Sequence, residues 1–254
     1  MIILLDIGNT RTHAGLASTE RVIKQVKFAT ASWFDRTAGN VMAAAIDKTE
    51  LEGAILCSVV PDATSMALEF VRQQWRIECL ELTHRKVRRP IIDYPRPETI
   101  GPDRLANAIA LSHRFEPPSV AIDLGTAITF DVLDHRGHYV GGIIAPGLSL
   151  MSRSLSGNTA LLPQIELRET RGVIGKSTVA AMQIGILAGS RGLVRHLIAE
   201  LKRELNCPGL TIVATGGDAR LIAAKLPEIT NIEPLLTLEG LRLAWRDQHL
   251  LLES

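Results

Sequence analysis

The sequence is poor in cysteine and aromatic residues, and it carries almost no excess of charge. It has 254 residues, of which 4% are aromatic and three are cysteines, Cys57, Cys79 and Cys207. Three scattered cysteines exclude a disulfide framework and a cysteine-based zinc cluster, so we expect free thiols in a reducing compartment. With 28 basic and 27 acidic residues, the net charge of +1 argues against a nucleic-acid-binding protein.

Long apolar runs are also missing. The N-terminal residues 1–10 lack the basic start of an export signal, and Asp6 interrupts their apolar run. No run approaches the roughly 20 apolar residues that a membrane-spanning helix needs. We therefore expect a cytoplasmic protein with no membrane partner, and its 46% hydrophobic residues indicate one or two domains with their own cores.

The hydrophobic pattern alternates between short apolar runs and segments with helical spacing, which predicts an α/β protein. The predicted strands are Ile2–Leu5, Arg11–Leu16, Arg21–Phe28, Gly53–Val60, Glu78–Leu82, Ser119–Thr126, Ile128–Leu133, Tyr139–Ala145 and Leu210–Thr215. The predicted helices are Trp33–Asp47, Thr64–Arg76, Pro102–Arg114, Pro146–Leu155, Lys176–Leu205, Asp218–Lys225 and Gly240–His249.

Two segments repeat the same design at half the chain length. Leu4–Thr10 and Ala121–Thr126 both place an Asp and a Gly at the end of an apolar strand, and another strand-like segment follows each time. This repeat predicts a duplicated α/β unit with two lobes that face each other across a cleft. We place the boundary near residue 114, with an N-terminal lobe over 1–114 and a C-terminal lobe over 115–254.

The chemistry of these strand ends indicates phosphate and cation binding. A glycine after the carboxylate lets backbone N–H groups approach a phosphate closely. Asp6 would repel phosphate, so its useful role is to hold a cation or to orient water; alternatively, it caps a tight hairpin. If Asp6 and Asp123 face each other over one nucleotide, the two carboxylates need a cation beside them, which predicts a metal together with phosphate.

Two further turns are candidates for the same site. Gly216 and Gly217 end a predicted strand, and a double glycine there admits a flat group such as adenine or ribose, or forms an ordinary strand-to-helix turn. Asp103 falls in the first turn of a predicted helix, where an anion is favoured. It is either a general base beside the cationic Arg104 or an acid that stabilises the helix.

Two other patterns are weaker. Gly172–Ser177 resembles a P-loop, but Thr170 stands where that motif needs its first glycine and no strand leads into it. The segment His84–Arg89 is a basic cluster, for which a solvated loop is favoured over a site that attracts an anionic substrate.

The joint order of these motifs resembles a known family. Strand-end Asp-x-Gly turns in both halves and a Gly-Gly turn resemble the superfamily of sugar kinases, actin and Hsp70-type ATPases. Within it, nearly the whole chain resembles type III pantothenate kinase. The resemblance implies a two-lobed, duplicated fold of that superfamily with a central cleft. It is carried by residues 6–10, 58–61, 94, 101–107, 123–131, 141–147, 159–163, 174–178, 215–217 and 236–241.

The resemblance also implies a reaction, the ATP-dependent phosphorylation of pantothenate in the first step towards coenzyme A. It implies that Asp103 is the general base, that Asp123 binds a monovalent cation (K⁺ or NH₄⁺), and that Asp6 is a candidate ligand of Mg²⁺. The implied pantothenate-binding residues are Tyr94, Gly101, Pro102, Asp103, Arg104 and Thr178. The implied ATP-binding residues are Asp6, Ile7, Gly8, Asn9, Thr10, Arg11, Thr12, His13, Thr126, Gly216 and Gly217.

Two other functions are consistent with these motifs, and a dimeric assembly is implied. The rivals are another small-molecule kinase or phosphatase of the superfamily, and a nucleotide-binding regulator of the same family without kinase activity. The resemblance implies a homodimer. The apolar residues between Met182 and Leu201 cover more than one helical stripe, which indicates either a second buried face or a helix buried within its own lobe.

Overall fold

In a computed structural model, which describes residues 1–46 and 50–249, the chain divides into two compact units. The first comprises Met1–Pro117, Arg136–Gly141 and the C-terminal segment from Leu235, and the second comprises Pro118–His135 and Gly142–Pro234. No helix in the described part of the chain is long and apolar enough to cross a membrane.

A five-stranded sheet with the order β3-β2-β1-β4-β5 forms the centre of the first unit. Strands β1 and β2 form an antiparallel hairpin, and β4 lies parallel to β1 on its other side. The strands are β1 (Ile2–Ile7), β2 (Arg11–Ala17), β3 (Val22–Ala29), β4 (Gly53–Ser58) and β5 (Cys79–Glu81), and the helices are α1 (Ala31–Phe34), α2 (Ala38–Ala45), α3 (Pro61–Trp75), α4 (Pro102–Arg114) and α8 (Leu236–His249).

The second unit repeats this arrangement. Its sheet has the order β10-β9-β6-β7-β8, in which β6 and β7 form an antiparallel hairpin and β9 lies parallel to β6. The duplication and the α/β class predicted from the repeated strand ends are therefore confirmed. The strands are β6 (Ser119–Leu124), β7 (Ala127–Leu133), β8 (Tyr139–Pro146), β9 (Thr211–Thr215) and β10 (Asn231–Ile232), and the helices are α5 (Leu148–Gly157), α6 (Thr178–Glu204) and α7 (Ala219–Ala223).

The C-terminal helix α8 groups with the first unit, whereas the sequence analysis assigned all residues after 114 to the second lobe. The reason is its packing against α4. A Cβ atom on Gly240 would lie 1.9 Å from the carbonyl oxygen of Ala106, so only glycine permits this close approach of the two helices. On the same helix, Leu241 and Trp245 are buried.

The predicted helix Trp33–Asp47 is wrong as a single element, because the structure divides this segment into α1 and α2. The Asp35 carboxylate accepts hydrogen bonds from the Thr37 backbone N–H at 3.0 Å and from its hydroxyl at 2.6 Å. Such local bonds compete with the helical backbone. Arg36 between them has a φ of 62°, which ends α1, and the predicted end at Asp47 lies outside the described residues.

The long helix α6 is confirmed, and most of its apolar residues face its own unit. Ile186, Val194 and Ile198 are buried in the core of the second unit, and Leu193 and Leu197 pack partly buried against the same core. The wide apolar stripe is therefore explained largely by burial within this unit, which was one of the two alternatives. The apolar residues of α6 alone do not indicate an interface with a second copy of the chain.

Candidate functional site

The first strand-end turn connects β1 and β2. Asp6 lies on β1 opposite His13 of β2 and Cys57 of β4. The turn is closed by the backbone N–H of Gly8, which donates to the carbonyl of Arg11 at 3.1 Å. The side chains of Asn9, Thr10 and Arg11 are exposed. The sequence thus places a carboxylate and an exposed polar turn at one end of a buried strand.

The last two residues of the predicted ATP-binding segment, Thr12 and His13, are turned into the unit. The Thr12 hydroxyl accepts from Trp33 Nε1 at 3.0 Å and lies 3.2 Å from the hydroxyl of Thr30. His13 Nε2 lies 2.5 Å from Gln25 Oε1. Burial, with the nearby charge of Lys27, lowers the pKa of His13 to about 4. His13 is therefore neutral at pH 7 and brings no positive charge to a phosphate.

Asp103 stands in the first turn of α4, where Pro102 opens the helix. Its Oδ1 accepts a hydrogen bond from the backbone N–H of Arg104 at 2.9 Å. Burial raises the pKa of the Asp103 carboxyl, and the backbone N–H and charge of Arg104 oppose that shift. A Cβ on Gly101 would lie 2.5 Å from Asp103 Oδ1, so glycine leaves the room that this carboxylate occupies.

The structure brings Asp6 and Asp103 to one thiol, that of Cys57. Cys57 is fully buried, and its Sγ donates to Asp6 Oδ1 at 3.6 Å. Burial and the negative charges of Asp6 and Asp103 raise the pKa of the Cys57 thiol well above its usual value. Two of the predicted site carboxylates therefore act on the same buried thiol of the first unit. No motif in the sequence pointed to Cys57. Pairing the two predicted strands that carry Asp6 and Cys57 would have indicated that these residues are neighbours.

Tyr94 is held by a short chain segment after β5. The Tyr139 backbone N–H donates to Ile91 at 2.8 Å, and its carbonyl accepts from Asp93 at 2.9 Å. The rings of Tyr94 and Tyr139 lie 6.4 Å apart between centroids. A Cβ on Gly141, whose φ is 120°, would lie 3.3 Å from the Tyr94 ring. Tyr94 thus packs on glycine and a buried tyrosine, and it remains 36% exposed.

In the second unit, three glycine-bearing turns meet at Asp123. Gly216 has a φ of 92°, and a Cβ there would lie 2.4 Å from Asp123 Oδ1. The backbone N–H of Gly147 donates to the carbonyl of Thr126 at 3.1 Å, and a Cβ on Gly147 would lie 2.3 Å from the Gly125 carbonyl. The predicted residues Asp123, Thr126 and Gly216 are therefore together. No role was predicted for Gly147, although it lies in the segment 141–147 that carries the family resemblance.

Thr178 lies at the beginning of α6. Ser177 caps this helix by accepting from the backbone N–H of Ala180 at 3.2 Å. Thr178 lines a cavity of about 700 Å³ within the second unit. The other lining residues are mostly apolar, namely Pro146, Leu150, Met151, Ser154, Leu155, Leu162, Ala181, Met182, Gly185 and Ile186.

The carboxylates fit cations that the substrate helps to coordinate. Among residues 1–46 and 50–249, no group of three or more His, Cys, Asp or Glu side chains could hold a metal ion by itself. Mg²⁺ in nucleotide sites is bound through one or two carboxylates, with water and phosphates as its other ligands. Asp6 and Asp123, each at the end of a strand beside a glycine turn, match that sparse donor set.

The comparisons with known proteins agree over nearly the full length of the chain. The family model of type III pantothenate kinase matches residues 2–200. A type III pantothenate kinase of Methylacidiphilum infernorum is 41% identical over 95% of this chain and 87% of its own. Another, from Akkermansia muciniphila, is 40% identical over 95% of this chain and 97% of its own.

Solved structures support the fold independently. A conserved Baf family protein of Campylobacter jejuni aligns with a TM-score of 0.60 at 18% identity, over 97% of this chain and 98% of its own. The activator of 2-hydroxyisocaproyl-CoA dehydratase from Clostridium difficile, solved with bound ADPNP, aligns with a TM-score of 0.53 at 13% identity, over 99% and 96%. At these identities the likeness concerns the fold alone.

Proposed function

Because the chain belongs to the type III pantothenate kinase family, we propose that it transfers the γ-phosphoryl group of ATP to a hydroxyl group of pantothenate. The product is 4′-phosphopantothenate, formed in the first step of coenzyme A biosynthesis. The observation that carries this proposal is the family match, which spans residues 2–200 and includes every strand-end turn described above except that of Gly216. The presence of the carboxylates Asp6, Asp103 and Asp123 favours an enzyme over a regulator without kinase activity.

Asp103 is the proposed general base. Phosphoryl transfer passes through a loose transition state, so the protein contributes mainly positioning and neutralisation of charge. Asp103 would accept the proton of the attacking hydroxyl late in the transfer. Its burial supports this role, because a carboxylate whose pKa is raised is a better proton acceptor than an ordinary one. Arg104, Gly101, Pro102 and Tyr94 would bind pantothenate around it.

The glycine turns are the proposed nucleotide contacts. The turn after Asp6 would bind the phosphates with its backbone N–H groups. Thr126, Gly216 and Gly217 are the other proposed nucleotide contacts. Mg²⁺ and a monovalent cation, K⁺ or NH₄⁺, would supply positive charge to the phosphates when bound. We assign Asp6 to Mg²⁺ and Asp123 to the monovalent cation.

A homodimer is part of the proposal, and the cytoplasm is its expected compartment. The surface of the second unit supports the dimer, because several large apolar side chains there are exposed. The exposed fraction is 90% for Leu161, 80% for Val173 and 81% for Ile174. A second copy of the chain would cover these residues and the apolar cavity beside α6. Thr178 lines that cavity, so the interface would also help to shape the proposed pantothenate site.

A substrate screen tests the proposed function. ADP release would be measured with pantothenate, N-acetylglucosamine and N-acetylmannosamine, each with ATP, Mg²⁺ and K⁺, and phosphate release would be measured with inorganic polyphosphate, Mg²⁺ and K⁺. We expect release with pantothenate alone. Release with a sugar but not with pantothenate would favour the rival sugar kinase, and ATP binding without turnover of any substrate would favour the regulator.

A further inference from the structure

A strongly basic segment precedes the helix that carries Asp103. Residues 84–101, between β5 and α4, contain five Lys or Arg residues and two acidic residues, a net charge of +3. The whole chain carries only +1, so the remainder of the molecule is slightly acidic. This short segment of the first unit therefore carries an excess of positive charge that the chain as a whole lacks.

The arginines of this segment are not neutralised by nearby acids. The side chains of Arg85, Arg88, Arg89 and Arg96 are exposed, and none forms an ion pair with any residue in the described part of the chain. The acidic Asp93 is already paired with Arg136 at 3.1 Å. The positive potential of the segment therefore extends into solvent.

The position of the segment is fixed, and it leads to the proposed substrate site. The two backbone hydrogen bonds to Tyr139 bind its middle, at Ile91 and Asp93. Tyr94, a proposed pantothenate contact, follows immediately, and the segment ends at the buried Ile100 and at Gly101, directly before α4. The charges thus belong to the same stretch of chain that presents Tyr94 and positions Asp103.

We propose that this basic segment attracts the anionic substrate pantothenate to the active site. This inference rests on the proposed function. A patch of one sign raises the local concentration of an oppositely charged substrate and speeds its encounter. Pantothenate carries one carboxylate, and Tyr94 lies within the segment. ATP is also an anion, so the test separates the two substrates.

The test variant is Arg88→Gln combined with Arg89→Gln, and its matched control is Lys24→Gln combined with Arg72→Gln. The control removes two exposed positive charges from the same unit, outside the segment. KM and kcat would be measured for pantothenate, for ATP and for an uncharged N-alkyl amide of pantothenate, at low and at high ionic strength.

We expect KM for pantothenate to rise about fourfold in the test variant at low ionic strength, which two charges at roughly 10 Å in water would produce. The value of kcat should not change. The difference should disappear at about 0.5 M salt, where the Debye length is only a few ångströms and the exposed charges are screened. KM for the uncharged amide should be the same in the test variant and the wild type.

Four results would overturn the inference. In the test variant, KM for the uncharged amide could rise as much as KM for pantothenate, or KM for ATP could rise while KM for pantothenate does not. The control variant could show the same rise in KM for pantothenate as the test variant. Finally, KM for pantothenate could stay unchanged in the test variant at low salt. Failure of the proposed function is distinguishable, because the wild-type protein would then fail to phosphorylate pantothenate at any ionic strength.

Discussion

Asp103 combines two features that usually oppose each other, burial and a nearby positive charge. Its pKa is raised because burial outweighs the stabilising backbone N–H and charge of Arg104. A carboxylate with a raised pKa accepts a proton more readily than an ordinary one. The sequence predicted an acid in the first turn of a helix but left its role open, because helix position does not report burial.

Replacing Asp103 with Asn tests this role. Asn keeps the shape of the side chain and removes proton acceptance, so kcat should fall by about 10²- to 10⁴-fold. The affinity for ATP, measured by calorimetry, should change little. Near-normal turnover in the variant would refute the assignment of Asp103 as the base.

His13 gives a prediction about stability. Its pKa is about 4 in the folded protein, whereas the ordinary value for an unfolded histidine is 6.5, so the unfolded chain binds more protons between these values. The contribution of neutral His13 to the free energy of unfolding is therefore fully present above pH 6.5 and is lost as the pH falls towards 4. From pH 7.5 to pH 5, the expected loss is about 2 kcal/mol.

The control for this prediction is His13→Gln, which does not titrate. Urea unfolding of both proteins at the two pH values isolates the contribution of His13, because all other groups titrate in both. Equal pH dependence of the wild type and the variant would show that His13 is not buried in its neutral form.

At the scale of the elements, the predictable part of the site is the set of strand ends. Asp6, Asp123 and the glycine at 216 were recognised because a carboxylate or a glycine directly follows an apolar run. The closure of the second turn by Gly147 could not be predicted, because it depends on the path of β8 into α5. The break between α1 and α2 was missed because Asp35 and Thr37 form a local turn that helical spacing does not reveal.

The turn around Asp123 gives a prediction about cations. Asp123→Ala removes the negative charge proposed to hold the monovalent ion, so activation by K⁺ should disappear. The measurement is the initial rate as a function of K⁺ concentration, with Na⁺ keeping the ionic strength constant. Asp123→Asn serves as the conservative control and should also lose the activation. A wild-type enzyme that is equally active in Na⁺ and K⁺ would contradict the proposed site.

For the whole molecule, the duplication was predictable and the division of the chain was not. The repeated strand ends indicated two similar units, and both sheets have the same order of strands. The return of α8 to the first unit depends on its contact with α4 through Gly240 and on buried residues such as Trp245. Such long-range packing leaves no signal in the order of residues along the chain.

Assembly is the prediction at this scale. Light scattering at micromolar concentration should give about twice the chain mass of 27.7 kDa. A charged substitution in the exposed apolar surface, Ile174→Asp, should shift the protein towards the monomer and raise KM for pantothenate. Ile23→Asp, a matched change at an exposed residue of the first unit outside the basic segment, is the control and should remain dimeric. A fully active wild-type monomer would contradict both the dimer and its role in the site.

If this chain phosphorylates pantothenate, the most direct measurement is of the reaction product. The protein would be incubated with pantothenate, ATP and Mg²⁺, with and without K⁺, and 4′-phosphopantothenate would be quantified by mass spectrometry. We expect one 4′-phosphopantothenate for each ADP, formed much faster with K⁺ and formed only at a residual rate by the Asp103→Asn protein. ATP consumption without this product, or no consumption in any of these conditions, would contradict the proposed function.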